Sequence, residues 1–321
     1  MFARKETKDA VEQIKNVAQK QKEEIKAGVP DGYVEVKLDS IGQLMAPKVL
    51  HFRNYRLLEA QELRDITEQN EEEVFIRVLN SMVYEDFDCG LLHRQDVIRI
   101  LLTIHATFWN PVISSFRYVI DESIEGEAKY DRSNMSIADL PVSSLEFKEL
   151  DKKAVLPIKI KTPAGDEYHL RTEVLADTVL AKQFIAEKYY DEEVRLSSVH
   201  QRILKDQPVS LEESEAYKDY IRRKLQDFSM AKRACLLVSK NGNEFQSFDD
   251  AFKEAMELDL IFWETLHYFM KDQFDFGINE DVEFNCTVTG KKIVRRFHFR
   301  SIDFIPSLEK NRSSKYSISA G

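Results

Sequence analysis

Hydrophobic and polar residues along the first third of the chain follow strand and helix periods in turn. Tyr33 to Leu38 (YVEVKL) alternates between polar and apolar residues, which predicts a strand, and Val49, Leu50 and Phe52 predict an edge strand. Three segments follow in which apolar residues recur every three or four positions, as on one face of a helix. These positions are Leu57, Leu58, Ala60, Leu63 and Ile66, then Val74, Phe75, Val78, Leu79, Met82 and Val83, then the mostly apolar run from Gln95 to Trp109.

The rest of the chain predicts two hairpins with helices between them. Val112 to Ile120 has strand character, whereas residues 121–135 are polar without a period and predict a surface loop or an interdomain connection. Two strand-like runs at 155–175 flank Pro163 and Gly165, which suit a tight turn. Residues 176–274 predict about four helices, and a second hairpin at 281–299 turns near Gly290.

The expected fold class is therefore α+β, predominantly helical, with two β-hairpins (about 155–175 and 281–299) and a helical N-terminal half. The pattern divides the chain into five predicted segments. They are an N-terminal helical arm (1–30), a helical N-terminal domain with edge strands (31–120), a connecting segment (121–150), a C-terminal α+β domain (151–308) and a flexible tail (309–321).

The predicted arm carries a narrow apolar stripe on a charged helix. Val11, Ile14 and Val17 form its centre at helical spacing. A stripe this narrow buries too little surface to hold the helix alone, so we expect either docking on a neighbouring subunit or a loosely held terminus.

Composition and charge favour a folded protein with an acidic body and a basic C-terminal segment. The 321 residues include 20 Phe and 12 Tyr, and the net charge is −10. Charge is uneven, since residues 290–321 hold eight basic and two acidic side chains while residues 31–289 are strongly acidic. An acidic body is poorly suited to a nucleic-acid backbone, so nucleic acid is an unlikely partner. The basic residues Lys291, Lys292, Arg295 and Arg296 are either solvated strand and turn positions or a site that attracts an acidic protein.

Sequence signals for export, membrane insertion and disulfides are weak. The three cysteines (89, 235 and 286) are too few and too widely spaced for a disulfide framework, which favours a reducing compartment. The first residues are charged and lack the apolar core of a signal peptide. No run of about 18 apolar residues occurs, so we expect no membrane-spanning helix.

Motifs for catalysis or cofactor binding are missing from the sequence. It contains no G-x-G-x-x-G, G-x-x-x-x-G-K-[ST], H-E-x-x-H, C-x-x-C or G-x-S-x-G pattern. Cys89 and His93 could supply half of a zinc site, but a buried thiol beside a capping or solvated histidine is the preferred interpretation. An aromatic group at 262–276 (Phe262, Trp263, Tyr268, Phe269, Phe274 and Phe276) predicts a core or subunit interface instead of a base-stacking platform. We therefore expect no catalytic, cofactor-binding or metal-binding residues and no cofactor.

The order of these pieces resembles the baseplate hub and hub-assembly proteins of contractile-tailed (T-even-like) bacteriophages. The similar elements lie within residues 46–308. They are FRNYRLLEAQELRDI, LLTIHATFW, IADLPVSSLEF, LPIKIKTPAGDEYHLR and FNCTVTGKKIVRRFHFRSIDFIP, in that order.

The chain departs from that family in one respect. Members of the family often carry two cysteine pairs of the zinc-ribbon kind, one ahead of the segment that corresponds to IADLPVSSLEF and one at the C-terminal hairpin. In this chain the C-terminal pair is reduced to Cys286, because Thr289 stands in place of the second cysteine. The earlier pair is missing, since no Cys lies between Tyr118 and Ile137. One thiolate cannot complete a tetrahedral zinc site, so we expect apolar packing by Phe284, Val294, Phe297 or Phe299 in its place.

The resemblance implies a non-enzymatic structural or assembly component of a tail baseplate. Its implied partners are other tail and baseplate proteins and further copies of the chain, and its implied location is the host cytoplasm during assembly or the baseplate of the virion. The alternatives are a nucleic-acid-associated phage protein that uses the basic C-terminal segment and an enzyme with an unmarked site.

Overall fold

The computed structural model places most of the chain in two compact units. It describes residues 29–40, 44–67, 69–109, 112–121, 129–136, 142–143, 157–274, 276–278, 281–285, 290 and 292–296. Described residues from 29 to 143 and from 276 to 296 form the first unit, and residues 157–274 form the second unit.

The first unit begins with an antiparallel hairpin and three helices. Alternating residues form the hairpin, in which Val34 lies opposite Phe52 and Val36 opposite Leu50. The elements are β1 (Tyr33–Lys37), β2 (Val49–Arg53), α1 (Leu57–Arg64), α2 (Glu71–Met82) and α3 (Arg94–Phe108). A short 3₁₀ turn at Cys89–Leu91 joins the last two helices.

The core of the first unit lies where α2 and α3 pack against this hairpin. Val36, Leu50 and Phe52 are fully buried on its inner face. The predicted apolar face of α2 is buried, and α3 buries more than one side of its circumference, as its sequence predicts. Burial of this apolar surface is the main free-energy term that stabilises the unit.

Helix α1 departs from the predicted apolar face. Leu57 and Leu58 remain 59% and 72% exposed, while Glu59, Ala60 and Leu63 face inward. Glu59 lies inside because Arg53 forms an ion pair with it and the Ser81 hydroxyl donates a hydrogen bond of 2.9 Å to it. Burial opposes ionisation of this carboxyl, but the hydrogen bonds from Arg53, the Arg56 N–H and Ser81 lower its pKa to about 2.

Three further pairs of strands belong to the first unit. Backbone hydrogen bonds join β3 to β4, β5 to β10 and β11 to β12, all antiparallel. The strands are β3 (Val112–Asp121), β4 (Lys129–Ser136), β5 (Val142–Ser143), β10 (Gly277–Ile278), β11 (Asp281–Asn285) and β12 (Lys292–Arg296).

Strand β4 corrects the prediction that residues 121–135 are a loop. Its sequence, KYDRSNMS, lacks the apolar alternation that would predict a strand. The strand pairs with β3 through backbone hydrogen bonds, which do not depend on that alternation. The predicted second hairpin is present as β11 and β12. Val294 is 58% exposed and does not supply the expected packing, and the side chains of Phe284, Phe297 and Phe299 lie outside the described residues.

The second unit combines a four-stranded antiparallel sheet with four helices. The strand order is β6-β7-β8-β9. Gly165, in the turn after β6, has a φ of +98°, a value that favours glycine. The elements are β6 (Ile158–Lys161), β7 (Glu167–Leu170), α4 (Leu175–Leu204), α5 (Leu211–Ala234), β8 (Leu237–Lys240), β9 (Asn243–Glu244), α6 (Phe248–Glu257) and α7 (Leu260–Gln273).

These elements confirm the predicted fold class, and they add two strands that the sequence did not predict. The four helices agree in number with the prediction for 176–274 and are separated by residues 205–210, 235–247 and 258–259. Strands β8 and β9 were expected to be part of the helical region. Leu237–Lys240 is too short to show a period, and it pairs with β7, which is about seventy residues earlier in the chain.

The two units do not coincide with the predicted segments. Strands β10, β11 and β12 belong to the unit of the N-terminal half, whereas the prediction assigns them to a domain at 151–308. The predicted arm (1–30) and tail (309–321) lie outside the described residues, except for Val29 and Pro30.

Replacing Ile100 by Ala should lower the free energy of unfolding by about 2–5 kcal/mol, because the side chain is fully buried in α3. Leu58→Ala is the matched control, and it should change that free energy by less than about 0.5 kcal/mol because Leu58 is exposed. Urea unfolding of the two variants measures both values. Equal losses would contradict the burial of α3 and the outward position of Leu58.

Candidate protein-interaction surface

Helices α4 and α5 form an antiparallel helical hairpin in the second unit. The 30 residues of α4 give it a length of about 45 Å. The Ser210 hydroxyl accepts a hydrogen bond of 3.1 Å from the Glu213 N–H, and the Glu213 carboxylate accepts one of 3.0 Å from the Ser210 N–H. This capping box starts α5 directly after the turn and so fixes where the chain reverses.

The facing sides of the hairpin are apolar and aromatic. Ile185, Tyr189, Leu196 and Val199 are buried along α4 at spacings of four, seven and three residues. Tyr220 on α5 meets Tyr189 edge to face, with 5.8 Å between ring centroids. This seam resembles a short coiled coil, in which side chains at such spacings interdigitate.

Ion pairs flank the seam and reverse their polarity along it. In its middle, Glu192 and Glu193 of α4 accept hydrogen bonds from Arg223 (2.7 Å) and Lys224 (2.5 Å) of α5. Toward the two ends the basic partner is on α4. Lys188 lies 2.7 Å from Asp227, and Arg202 lies 2.5 Å from Glu213.

This arrangement of charges specifies one register of the two helices. Each pair is partly exposed and worth little alone, but a shift of one helical turn would break all four pairs together. The hydrogen bonds from Arg202 and the Ser210 N–H lower the pKa of Glu213 to about 2. Burial, together with the hydrogen bond to Asp227, raises the pKa of Tyr189 to about 12. Both groups therefore keep one charge state at neutral pH.

Large apolar side chains are exposed mainly on the helices of the second unit. Among the residues whose side-chain exposure the structure describes, eleven of the sixteen such side chains lie on α4 to α7. They are Leu180, Tyr190, Val194, Ile203 and Leu204 on α4, Leu211 and Leu225 on α5, Met256 on α6, and Leu260, Ile261 and Tyr268 on α7. Ile203, Leu204 and Leu211 gather where the chain reverses, at the end of the helical hairpin.

Helix α7 has a buried and an exposed side. Asp259 caps its first turn by accepting a hydrogen bond of 2.8 Å from the Phe262 N–H. Phe262, Trp263 and Leu266 are buried, whereas Ile261 and Tyr268 are exposed one face away. The predicted aromatic group is thus mostly core, and Tyr268 is its exposed member among the residues whose exposure is known.

The structure places few of the predicted interaction residues. Val11, Ile14, Val17 and Lys291 lie outside the described residues, and so does the side chain of Arg295. Lys292 and Arg296 are exposed on β12, and Lys292 lies 2.5 Å from Glu283. The exposed positions on α4 and α5 carry no direct sequence signal, because a helical period marks the buried face and not what the other face contacts.

Cys89 and His93 take the structural roles that the sequence favoured. Cys89 is fully buried, and burial raises the pKa of its thiol. His93 caps α3 by accepting a hydrogen bond from the Gln95 N–H at 3.3 Å. Among the described residues, no group of three or more His, Cys, Asp or Glu side chains could hold a metal ion.

A polar cluster of Tyr168, Lys240 and Glu254 lies on the sheet of the second unit. The Tyr168 hydroxyl donates a hydrogen bond of 2.6 Å to Glu254, and Lys240 donates one of 2.8 Å to the same oxygen. Burial, with the hydrogen bond to Glu254, raises the pKa of Tyr168 to about 12, and the Glu254 hydrogen bond raises that of Lys240. Both groups stay protonated at neutral pH, so neither is poised as a general base. The cluster links β7 and β8 to α6.

A buried pair of carboxyl groups in the first unit was missed by the sequence analysis. The Arg99 Nε–H donates a bifurcated hydrogen bond to Asp39, at 3.1 Å from each carboxylate oxygen, and Asp96 accepts a hydrogen bond of 3.0 Å from the Ser40 N–H. Asp96 and Ser40 are fully buried, and Asp96 Oδ2 and Ser40 Oγ have no hydrogen-bond partner within the part of the chain that the structure describes. In the sequence, Asp96 gives the signal of an ordinary acidic residue in a first helical turn.

Burial determines the ionisation of this cluster. It raises the pKa of Asp96 to about 6, although the hydrogen bond from the Ser40 N–H opposes the rise. It also raises the pKa of Asp39, against the opposing effect of Arg99. Because the cluster is enclosed among core residues, its effect is on the stability of the fold.

Comparison of the chain with protein-family models, with curated proteins and with solved structures finds no match. Within the described residues, none of the helices combines the length and the apolar character needed to cross a membrane.

Replacing Asp96 by Asn should stabilise the protein at neutral pH. The pKa of Asp96 is about 6 when folded and 3.8 ordinarily, so the folded state binds more protons between these values. The ionised carboxyl therefore lowers stability as pH rises through this window, by about 2–3 kcal/mol at pH 7. We expect Asp96→Asn to raise the free energy of unfolding by up to that amount at pH 7 and to change it little at pH 4.

Urea unfolding from pH 4 to pH 7 measures this difference. Asp191→Asn is the matched control, since Asp191 is exposed on α4 and should show little effect at either pH. The prediction would be contradicted if the free energies of unfolding of the wild type and of Asp96→Asn differed by a constant amount from pH 4 to pH 7.

Proposed function

We propose that this chain is a non-enzymatic structural or assembly component of a contractile-tail baseplate, acting at the hub through protein–protein contacts. The observation that carries the proposal is the concentration of exposed apolar side chains on the helices of the second unit. Single exposed apolar residues are normal, but groups of them are typical of surfaces that bind other proteins.

The end of the helical hairpin is the clearest of these groups. Leu204 and Leu211 are among the most exposed apolar side chains in the described residues, and Ile203 lies beside Leu204. The seam and its ion pairs hold the hairpin in one register, so these leucines are presented at a fixed place. A rigid projection with an apolar end loses little conformational entropy when it binds a partner.

The ionisable groups with large pKa shifts are consistent with this proposal. Tyr168, Tyr189 and Lys240 stay protonated and Glu213 stays ionised near neutral pH. Asp96 would titrate near neutrality, but it is enclosed in the core of the first unit. Such shifts are those of structural ion pairs and hydrogen bonds.

The baseplate itself enters the proposal through the resemblance of residues 46–308 to hub and hub-assembly proteins. That resemblance is a shared order of elements along the chain. A permanent subunit and a transient assembly factor need the same kind of surface. Mass spectrometry of purified particles separates the two.

Replacing Leu204 and Leu211 together by Ser should impair tail assembly in a phage that encodes this chain. The expected result is fewer complete baseplates in electron micrographs of lysates, because the end of the hairpin loses its apolar contacts. The purified variant should melt within about 2 °C of the wild type, since exposed substitutions change stability little.

Leu58→Ser is the matched control for this experiment, because Leu58 is equally exposed but lies in the first unit. Its tails should be complete. Wild-type numbers of complete tails after deletion of the whole gene would refute the baseplate role.

A further inference from the structure

The exposed side of α7 carries apolar and charged residues in a regular order. Ile261, Glu264, Tyr268 and Lys271 follow one another at spacings of three, four and three residues, so they share one face of the helix. Ile261 is 71% exposed and Tyr268 is 66% exposed, and Glu264 and Lys271 are exposed as well. The face therefore has the spacing of a coiled-coil seam on a helix whose other side is buried in the second unit.

This face is complementary to itself when two copies of α7 run in opposite directions. In an antiparallel pair, Ile261 faces Lys271 of the other copy, and Glu264 faces Tyr268. Glu264 then lies one helical turn from the second copy's Lys271, within reach of the long lysine side chain. A parallel pair would instead align Glu264 with Glu264 and Lys271 with Lys271, which is unfavourable.

We infer that α7 mediates self-association of this chain, as an antiparallel pair of helices related by a two-fold axis. Two copies of each contact form at once, which is the property of an isologous interface and the commonest closed symmetry of homo-oligomers. Ile261 and Tyr268 supply the apolar contacts, and the stem of Lys271 covers Ile261 of the other copy while its ammonium group pairs with Glu264.

The expected dimer is weak. One pair of helices of this length buries less than the area of a standard stable interface, so association should be reversible. This inference rests on the proposed function, because it names a second copy of the chain as the partner that binds one of the exposed apolar faces.

Charge reversal of the purified full-length chain tests the inference by sedimentation velocity over a concentration series that extends to the solubility limit. Glu264→Lys and Lys271→Glu should each weaken the dimer by about tenfold in dissociation constant, because each creates two like-charge contacts. The double variant, Glu264→Lys with Lys271→Glu, should restore dimerisation, since the pairs are only exchanged. Ile261→Ser should also weaken the dimer without changing the melting temperature.

Leu225→Ser is the matched control, because Leu225 is exposed on α5 and lies outside the proposed contact. It should dimerise as the wild type does. A chain that stays monomeric at every concentration, or a dimer that the single reversals leave unchanged, would overturn the inference, and so would a double variant that fails to recover.

These outcomes are distinct from failure of the proposed function. A monomeric chain that is still required for complete tails would remove the inference and leave the assembly role. A dimer that follows the charge rule while tails form normally without the gene would do the opposite.

Discussion

The alternation of charge between α4 and α5 is the constraint on which the second unit depends. The Glu192–Arg223 and Glu193–Lys224 pairs in the middle, with pairs of opposite polarity on either side, leave one favourable register. The charges thus contribute specificity more than stability, because each pair is partly solvated. The register in turn determines which apolar residues are left outside.

In the first unit, by contrast, some of the charged residues are buried. Arg53 and Glu59 satisfy one another beneath α1, and the buried carboxylate turns Leu57 and Leu58 toward solvent. Asp96 has no such cation and keeps an oxygen without a partner among the described residues, so its ionised form is costly. A buried carboxyl group therefore stabilises or destabilises the fold according to whether a basic side chain reaches it.

Local periodicity explains why most of the fold was predictable from the sequence. Helices α2, α3 and the four helices of the second unit follow their apolar spacing, and both hairpins turn at their Gly positions. Strand β8 was missed because it is short and pairs with β7, about seventy residues earlier in the chain. Strands β4, β5, β9 and β10 were missed because β4 has no apolar alternation and the other three are only two residues long. The inward turn of Glu59 was also invisible, since it depends on Arg53 and Ser81, which approach only in the folded chain.

The candidate surface was predictable only in part, for a related reason. The aromatic residues of α7 predict a core or an interface, and in the structure Phe262 and Trp263 are buried whereas Tyr268 is exposed. In the inferred pair of α7 helices, the specificity comes from Glu264 and Lys271, which lie beside the exposed apolar residues. A face that presented only apolar residues would favour indiscriminate association, whereas fixed charges penalise every arrangement except the one that pairs them. A weak, oriented contact of this kind would suit the proposed role in an ordered assembly, because misplaced copies can dissociate before the next subunit binds.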